Sequence, residues 1–313
     1  MRRPGAAIDL GSTSVHLLIA RPGRELGVVE DESAFLGLGA AVDGPGRLDD
    51  SGRASLVATV GDYVDRARGA GVVEPIVMGT EPLRRLADAT RIVADVSART
   101  GVPLLVLEHE EEALLTLIGL LNGRAVTSDL LTVDIGGGST ELVEIGPGRL
   151  ARPMGIRIGA GRLSRAITDR GAPTPQVFAD LRAAARTAFV WEPARPVTEV
   201  VFVGGTATNL LKLIRRVGNP ERDRLDRGDL ALVRRVLASS PAELIAATYG
   251  LREARVRLLP AGAEIIEAVL DATGVEAGRV VDAGIREGAI VAADRAGEGW
   301  RDRLEELAHG WIA

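Results

Sequence analysis

The sequence predicts an α/β protein made of two similar domains that share a cleft, and three observations indicate this. The chain has 313 residues, which suits two domains of about 150 residues each. A strand–Asp–x–Gly–strand pattern near the N-terminus recurs around residue 134. Strand-like segments alternate with helical segments in both halves, which is typical of α/β folds. We expect domains at 1–125 and 126–297, with a C-terminal helix at 298–313 that can complete the first.

The second copy of this pattern is the more distinctive. Residues 130–135 are apolar except Thr132 and Asp134, so they predict a buried strand that ends beside a carboxylate. Residues 136–138 are glycines, for which we expect a tight turn with positive φ. The alternation from Thr140 onward predicts a half-buried strand. A bare glycine backbone can hold phosphate, and a carboxylate beside it can hold Mg²⁺ or its waters. An ordinary hairpin with a structural aspartate is the alternative.

The first copy spans residues 6–19. Here Asp9 matches Asp134, and Gly11 matches Gly136. Two unrelated hairpins with the same Asp-x-Gly pattern are much rarer than one. The duplication therefore favours two domains that each present one phosphate-holding hairpin to the shared cleft.

The remaining elements follow from apolar periodicity and from glycine and proline breaks. Helices are predicted at 49–70, 82–100, 110–121, 174–189, 206–216, 229–239, 241–250, 260–273 and 286–295. Strands are predicted within 5–20 and 24–40 and at 75–80, 102–107, 199–204 and 279–283. The charged segment 219–229 is predicted to be a surface loop.

Outside the hairpins, three segments contain side chains suited to phosphate chemistry. Residues 200–213 read as a strand, a Gly-Gly turn and a helix whose first turn contains Thr206. The N–H groups of such a helix start can bind anions, or the turn can serve packing alone. Arg84 opens a helix and can clamp phosphate, or it can lie on a solvated face. Arg157 and Arg162 lie in a glycine-rich segment and allow the same two interpretations.

A run of three glutamates follows His109 where a strand meets a helix. Acidic side chains at a helix start are favoured by the helix dipole alone. The functional hypothesis is that one of these carboxylates acts as a general base on water.

Composition excludes several classes of function. The net charge is -5 and aromatic residues are 3% of the chain, which argues against nucleic-acid binding and membrane-surface binding. The absence of cysteine excludes disulfides, thiolate catalysis and iron–sulfur clusters. No apolar leader precedes the first strand, and no apolar run approaches the ~20 residues of a membrane span. We therefore expect a cytoplasmic protein.

Taken together, these elements resemble the exopolyphosphatase/guanosine pentaphosphate phosphatase (Ppx/GppA) family in its short, two-domain form. That family belongs to the actin, sugar kinase and heat-shock ATPase superfamily. The resembling segments are 8–12, 79–84, 111–113, 134–142, 154–155 with 161–163, and 282–288. The run Asp-Ile-Gly-Gly-Gly-Ser-Thr-Glu and the Glu-Glu-Ala element are specific in combination. The resemblance implies two ribonuclease H-like domains with a cleft between them.

The resemblance also implies a function. It implies Mg²⁺-dependent hydrolysis, with Mn²⁺ as a substitute, of the terminal phosphoanhydride of inorganic polyphosphate or of pppGpp. Glu112 matches the family's general base, and Glu141 matches a carboxylate that positions water or metal. Asp9 and Asp134 would face the metal. The implied phosphate-binding set is Gly11, Ser12, Thr13, Arg84, Gly136, Gly137, Gly138, Ser139, Thr140, Gly205 and Thr206. A homodimer is the implied assembly.

The chain departs from the family pattern at three places. Thr13 stands where the family has Asn, His109 where it has Gly, and Glu81-Pro82 where it has Ser-Ala. Glu81 adds negative charge near an anionic substrate. Two alternatives from other classes stay open: an actin-fold kinase that phosphorylates a sugar or a carboxylate, and a non-catalytic sensor of nucleotide or polyphosphate. Glu112 favours hydrolysis, and we see no sugar-binding aspartate element in the first domain.

Overall fold

The computed structural model describes residues 2–165 and 171–309, and the chain within them forms two compact units. The first unit comprises Met1–Val126, Gly148–Pro153 and Ala283–Ala313, and the second comprises Thr127–Pro147 and Met154–Asp282. Residues 166–170 and 310–313, and with them the end of the helix predicted at 298–313, lie outside the described residues. Among the described residues, no helix combines the length and the apolar character that a membrane crossing needs.

The secondary structure follows the predicted alternation. The strands are β1 Gly5–Leu10, β2 Ser14–Arg21, β3 Gly27–Phe35, β4 Ile76–Gly79, β5 Leu104–Val106, β6 Leu130–Ile135, β7 Thr140–Ile145, β8 Arg152–Ile156, β9 Glu199–Val203, β10 Arg224–Asp226 and β11 Ala277–Val280. The helices are α1 Leu38–Asp43, α2 Asp50–Gly69, α3 Glu81–Arg85, α4 Ala89–Thr100, α5 His109–Leu121, α6 Ala160–Ser164, α7 Pro175–Ala188, α8 Gly204–Val217, α9 Arg227–Ala238, α10 Ala242–Tyr249, α11 Glu253–Val256, α12 Leu259–Thr273, α13 Ile285–Ala296 and α14 Leu304–Ala308.

The first unit is built on a sheet of order β3-β2-β1-β4-β5. Strand β1 pairs antiparallel with β2 and parallel with β4, and β4 pairs parallel with β5. The alternate residues of β1 and β2, including Ile8 and Leu17, join the apolar side chains of α2 and α4 in one buried core. Because β1, β4 and β5 are parallel, their carboxyl ends and the loops that follow them lie at one edge of the sheet.

The second unit repeats this plan with a sheet of order β10-β11-β9-β6-β7-β8. Strand β6 pairs antiparallel with β7 and parallel with β9. Apolar side chains of α7, α8, α9 and α12 join those of the sheet, including Phe202, in a second buried core. Strand β7 lies between two neighbouring strands, and the residues from Thr140 to Val143 are all buried. The expectation of a half-buried strand was therefore wrong.

Helix α13 lies in the first unit, although we expected residues up to 297 in the second domain. It packs on α5 and β1. The approach to α5 is close because both helices use glycine where they meet. A Cβ on Gly288 would lie 1.9 Å from the carbonyl oxygen of Leu115, and a Cβ on Gly119 would lie 2.6 Å from that of Gly284. The glycine-rich segment 282–288 thus makes a packing contact.

Three predicted elements have different bounds. The helix predicted at 82–100 is two helices, because Leu86 takes an extended conformation that ends α3. The strand predicted within 24–40 ends at Phe35, and Gly37 takes the left-handed conformation at the start of α1. The predicted surface loop 219–229 contains β10, and a capping box between Asp226 and Asp229 starts α9.

Candidate active site

The two predicted hairpins have the same loop geometry. Residues 11–13 join β1 to β2, and residues 136–139 join β6 to β7. In each loop the N–H of the first glycine donates to the carbonyl oxygen of the serine three residues later. The distances are 3.1 Å from Gly11 to Ser14 and 3.0 Å from Gly136 to Ser139. The sequence match of Gly11 with Gly136 therefore corresponds to a match in backbone structure.

Each loop is also supported from behind by a short helix that follows the third strand of its sheet. In the first unit, N–H groups at the start of α1 donate to the loop, from Gly37 to the Thr13 carbonyl and from Gly39 to the Ser12 carbonyl. In the second unit, the N–H groups of Ala160 and Arg162 in α6 donate to the carbonyls of Gly136 and Gly137. These bonds fix the loop carbonyls within the protein.

The glycines of the second loop do not have the positive φ that we expected, and the glycine that close approach requires lies outside the loop. Neither Gly11 nor any of Gly136, Gly137 and Gly138 has a positive φ. The tightest contact comes from Gly159. A Cβ on it would lie 2.6 Å from the carbonyl carbon of Gly137 and from the nitrogen of Gly138. Two backbone segments therefore touch where the sequence indicated only a turn.

The two matched aspartates face different partners across their hairpins. Asp134 is paired in register with Glu141, and Asp9 is paired with His16. Directly opposed side chains of an antiparallel pair lie on the same face about 5 Å apart at Cβ, so Asp134 and Glu141 concentrate two carboxylates in the second unit. Glu141 is buried. Oxygen donors of this kind suit Mg²⁺.

The surroundings of Thr140 do not fit the phosphate-binding role that we predicted for this residue. Its side chain is fully buried, and its hydroxyl donates to the carbonyl oxygen of Ile158 at 2.6 Å. The hydroxyl thereby ties β7 to the segment before α6. We withdraw Thr140 from the phosphate-binding set. Ser139 is also buried, and its carbonyl accepts the loop bond from Gly136.

The junction between β9 and α8 lies beside Asp134. Gly204 has a φ of 79°, and a Cβ on it would lie 2.2 Å from Oδ1 of Asp134. The helix N-cap is Val203, whose side chain makes no capping bond, and the N–H groups of a helix first turn are suited to an anion. Thr206 is buried, with its methyl group directed at Gly262 of α12.

A cation that the sequence did not single out lies at the same junction. The guanidinium Nη1 of Arg255 lies 3.3 Å from the position of a Cβ on Gly205. Burial lowers the pKa of Arg255, and the positive charge of Arg252 lowers that pKa further. A nearby anion would favour the charged guanidinium. Sequence reasoning missed Arg255 because it lies 50 residues after Gly205 in a very short helix with no glycine pattern.

The three glutamates in the first turn of α5 differ in burial and in their hydrogen-bond partners. Glu110 is exposed. Glu111 closes a capping box with Glu108 and forms an ion pair with Arg301, whose Nη2 lies 2.7 Å from Oε2. Burial raises the pKa of Glu111, but the hydrogen bonds from Arg301 and from the N–H of Glu108 outweigh it, and the pKa is lowered overall. Glu112 is buried in the first unit.

Arg84 lies against Glu112. Its guanidinium donates to the carboxylate of Glu112 and to the carbonyl oxygen of Leu107, and its Nη2 lies 2.9 Å from Nδ1 of His109. In this structure Arg84 therefore orients the carboxylate that was predicted to be the base. The phosphate contact expected for Arg84 stays a prediction.

Ser12 and Thr13 lie in the first loop, half-buried. The hydroxyl of Ser12 donates to Oε2 of Glu81 at 3.1 Å. Glu81 is the first residue of α3 and is 4% exposed, and the guanidinium of Arg85 donates to its other oxygen at 2.8 Å. Glu81, which differs from the family pattern, thus contacts the side chain of Ser12, a predicted phosphate-binding residue.

Comparison with known proteins decides the family. The sequence profile of the Ppx/GppA phosphatase family matches residues 18–294. The chain belongs to the Ppx/GppA phosphatase family. Exopolyphosphatase 1 of Mycobacterium tuberculosis is 28% identical over 310 residues, which cover 91% of this chain and 86% of that protein. An uncharacterized protein of Streptomyces coelicolor is 30% identical over 320 residues, with 94% and 91% covered.

Solved structures agree in fold. A Ppx/GppA family member from Aquifex aeolicus matches with a TM-score of 0.77 at 23% identity, covering 95% of this chain and 99% of that chain. An exopolyphosphatase from Cytophaga hutchinsonii matches with a TM-score of 0.79 at 19% identity, covering 91% and 96%. The predicted family, the predicted fold class of two actin-like α/β domains and the expectation of an enzyme are confirmed.

Proposed function

We propose that this Ppx/GppA protein hydrolyses the terminal phosphoanhydride of inorganic polyphosphate and releases orthophosphate, with Glu112 as the general base. The observation that carries this proposal is the separation of three consecutive glutamates at the start of α5. Glu110 is exposed, Glu111 is bound to Arg301 and to the backbone, and Glu112 is buried with its carboxylate oriented by Arg84. An oriented, buried carboxylate is what a general base requires. The exopolyphosphatases among its relatives support the choice of substrate.

The proposed reaction breaks the bond between the terminal phosphorus and the bridging oxygen. Glu112 takes one proton from the attacking water, the new P–O bond forms orthophosphate, and the shortened polyphosphate leaves with the bridging oxygen. Such hydrolysis needs positioning and charge neutralisation more than covalent catalysis. The backbone N–H groups of the second hairpin and of the α8 start, with Arg255, would hold phosphate oxygens.

The carboxylates of the second hairpin fit a divalent metal. Asp134 and Glu141 are directly opposed across the hairpin, so their carboxylates lie on the same face of the sheet. Oxygen donors from two carboxylates are suited to Mg²⁺ and to Mn²⁺. Asp134 and Glu141 would hold the ion, and Asp9 is the matched carboxylate of the first unit. When bound, the metal would neutralise phosphate charge.

The test is phosphate release by the purified protein with Mg²⁺, with short polyphosphate, long polyphosphate and pppGpp offered separately. We expect release from polyphosphate, and a loss of about 10²–10⁴-fold in Glu112→Gln, as is typical for removal of a general base. Glu110→Gln is the matched control in the same helical turn, and it should retain the parental rate.

Three outcomes would contradict the proposal. Release from pppGpp alone would transfer the assignment to a pentaphosphate phosphohydrolase. ATP consumption only in the presence of a sugar or a carboxylate acceptor would favour a kinase. Polyphosphate binding without turnover, unchanged in Glu112→Gln, would favour a sensor.

A further inference from the structure

The buried carboxylate of Glu81 is joined to the first hairpin loop by a short chain of polar contacts within the first unit. Ser12 donates its hydroxyl proton to Oε2 of Glu81 at 3.1 Å, and Arg85 donates to Oε1 at 2.8 Å. The same Nη1 of Arg85 lies 2.6 Å from Oδ1 of Asp43 in α1. Glu81 itself is 4% exposed. The hydroxyl of Ser12 is therefore held by a charge that the fold fixes in place.

A serine hydroxyl has one proton to donate and two lone pairs with which to accept. Phosphate oxygens accept hydrogen bonds, so a phosphate can use Ser12 only if that proton is directed toward it. A charged carboxylate is a strong competitor for the proton. In this state Ser12 can offer a lone pair, which suits a cation or a water, and it presents no donor to an anion.

The second unit has a different side chain at the corresponding place. In each unit, the strand that pairs parallel with the first strand of the hairpin leads into a helix. Strand β4 pairs with β1 and leads into α3, and β9 pairs with β6 and leads into α8. The β9–α8 junction is Gly204-Gly205, with the guanidinium of Arg255 beside it. The β4–α3 junction contains Glu81. The second junction thus puts bare backbone and a guanidinium beside the carboxylate of Asp134, whereas the first puts the Arg85-bound carboxylate of Glu81 against the loop hydroxyl of Ser12.

We propose that Glu81 sets the affinity of the first hairpin loop for phosphate, by holding the one proton that Ser12 could donate to a phosphate oxygen. Glu81 acts through Ser12 and is a positioning residue. As a consequence, the two loops bind substrate with unequal affinity, and the first loop binds phosphate more weakly than the second. This inference rests on the proposed function only for the identity of the anion as a polyphosphate chain.

The test is a double-mutant cycle on Glu81 and Ser12, measured as equilibrium binding of tripolyphosphate by calorimetry in EDTA. EDTA removes metal-dependent turnover and metal bridging, so the binding result does not depend on hydrolysis. We expect Ser12→Ala alone to change the dissociation constant by less than twofold. Glu81→Ala should tighten binding roughly tenfold or more, and adding Ser12→Ala to it should remove at least threefold of that gain.

Glu81→Gln tests the direction of the Ser12 contact. Because Arg85 can only donate, the amide oxygen should face Arg85 and the amide NH2 group should face Ser12, which leaves the Ser12 hydroxyl proton free for a phosphate oxygen. Binding should therefore tighten in this variant, and adding Ser12→Ala should again remove at least threefold of the gain. Thermal unfolding checks that each variant is folded. In Mg²⁺, Glu81→Ala should lower KM for polyphosphate and leave kcat within about threefold.

Several results would overturn the proposal. One is a tenfold loss of tripolyphosphate binding in Ser12→Ala alone, which remains decisive even if Glu81→Ala does not fold. Another is a gain in Glu81→Ala that does not depend on Ser12. A third is the absence of tripolyphosphate binding at millimolar concentration in both the parent and Glu81→Ala. Failure of the proposed function would instead appear as no phosphate release in Mg²⁺, whatever the binding cycle shows.

Discussion

In the first unit residues 11–13 connect β1 to β2, and in the second unit residues 136–139 connect β6 to β7. Both loops have the same backbone hydrogen bond, and a short helix donates hydrogen bonds to each of them. The neighbours of the two loops differ. Asp9 faces His16, whereas Asp134 faces Glu141. Glu81 lies beside the first loop and Gly204 beside the second. A duplicated backbone therefore presents two different electrostatic surroundings, and only the second concentrates both carboxylates and bare backbone.

The largest expected difference concerns the glycines at the carboxyl ends of two matched strands, where Gly204 follows β9 and Gly79 is the last residue of β4. A Cβ on Gly204 meets the Asp134 carboxylate at 2.2 Å, and its φ is positive. A Cβ on Gly79 meets the methyl end of Leu83 at 2.2 Å. We expect Gly204→Ala to reduce phosphate release about 100-fold, because it displaces the Asp134 carboxylate, which belongs to the proposed metal site. Gly79→Ala should mainly lower the free energy of unfolding, by about 1–3 kcal/mol.

Steady-state kinetics and urea unfolding of both variants check this difference. Gly218→Ala is the control, since nothing lies within 4 Å of its Cβ position. Equal losses of activity in Gly204→Ala and Gly79→Ala would contradict the unequal roles of the two junctions.

The next prediction concerns the support behind each loop. Gly159→Ala places a methyl group 2.6 Å from the backbone of Gly137, which cannot move without shifting the loop. Gly37→Ala in the first unit meets nothing closer than 3.8 Å and incurs only the strain of its left-handed conformation, about 1–2 kcal/mol. We expect phosphate release to fall roughly 30-fold in Gly159→Ala. A rate in Gly37→Ala that falls as far would show that the loops contribute equally.

The proposed metal site provides a third contrast. Asp134→Asn removes one of two opposed carboxylates, whereas Asp9→Asn removes a carboxylate opposite a histidine. We expect the Mg²⁺ concentration for half-maximal phosphate release to rise about tenfold or more in Asp134→Asn and by less in Asp9→Asn. The rise in Tm on adding Mg²⁺ gives a second readout without turnover, and it should vanish first in Asp134→Asn. The reverse order would place the metal at the first hairpin.

The smallest expected effect is on the free energy of unfolding at acid pH. Each unit has a carboxylate that is bound by arginine, Glu111 in the first unit and Asp271 in the second. The lowered pKa of Glu111 means that its ion pair stabilises the fold fully above the unfolded pKa of about 4.3, and that this stabilisation is lost as the pH falls through the folded pKa. Arg301→Gln should therefore lower the free energy of unfolding by about 1 kcal/mol at pH 7, and the difference should shrink below pH 4.

Arg186→Gln is the matched variant in the second unit. Burial raises the pKa of Asp271, but hydrogen bonds from Arg186 and Arg227 lower it overall. Because Arg227 remains, we expect a smaller loss than in Arg301→Gln. Urea unfolding at pH 7 and pH 3.5 measures both. A loss in Arg301→Gln that stays constant with pH would show that the lost stability comes from packing of the arginine stem.

The sequence by itself determined the family, the two-domain α/β class and the pairing of the two hairpins. These follow from local patterns: the Asp-x-Gly repeat, the alternation of strand and helix periods, and the Gly-Gly-Gly-Ser-Thr-Glu run. The segments that form these patterns are short, and their turns and strand ends are fixed by short-range backbone chemistry.

The tertiary structure decided the use of each side chain. The hydroxyl of Thr140 donates to the carbonyl oxygen of Ile158, and the guanidinium of Arg84 donates to Glu112. The hydroxyl of Ser12 donates to Glu81, and the guanidinium of Arg255 lies beside Gly205. The tertiary structure also placed α13 in the first unit, through glycine contacts between residues more than 150 positions apart. Such pairings depend on which elements pack together, and no local propensity encodes the distance between two segments that are far apart in the chain.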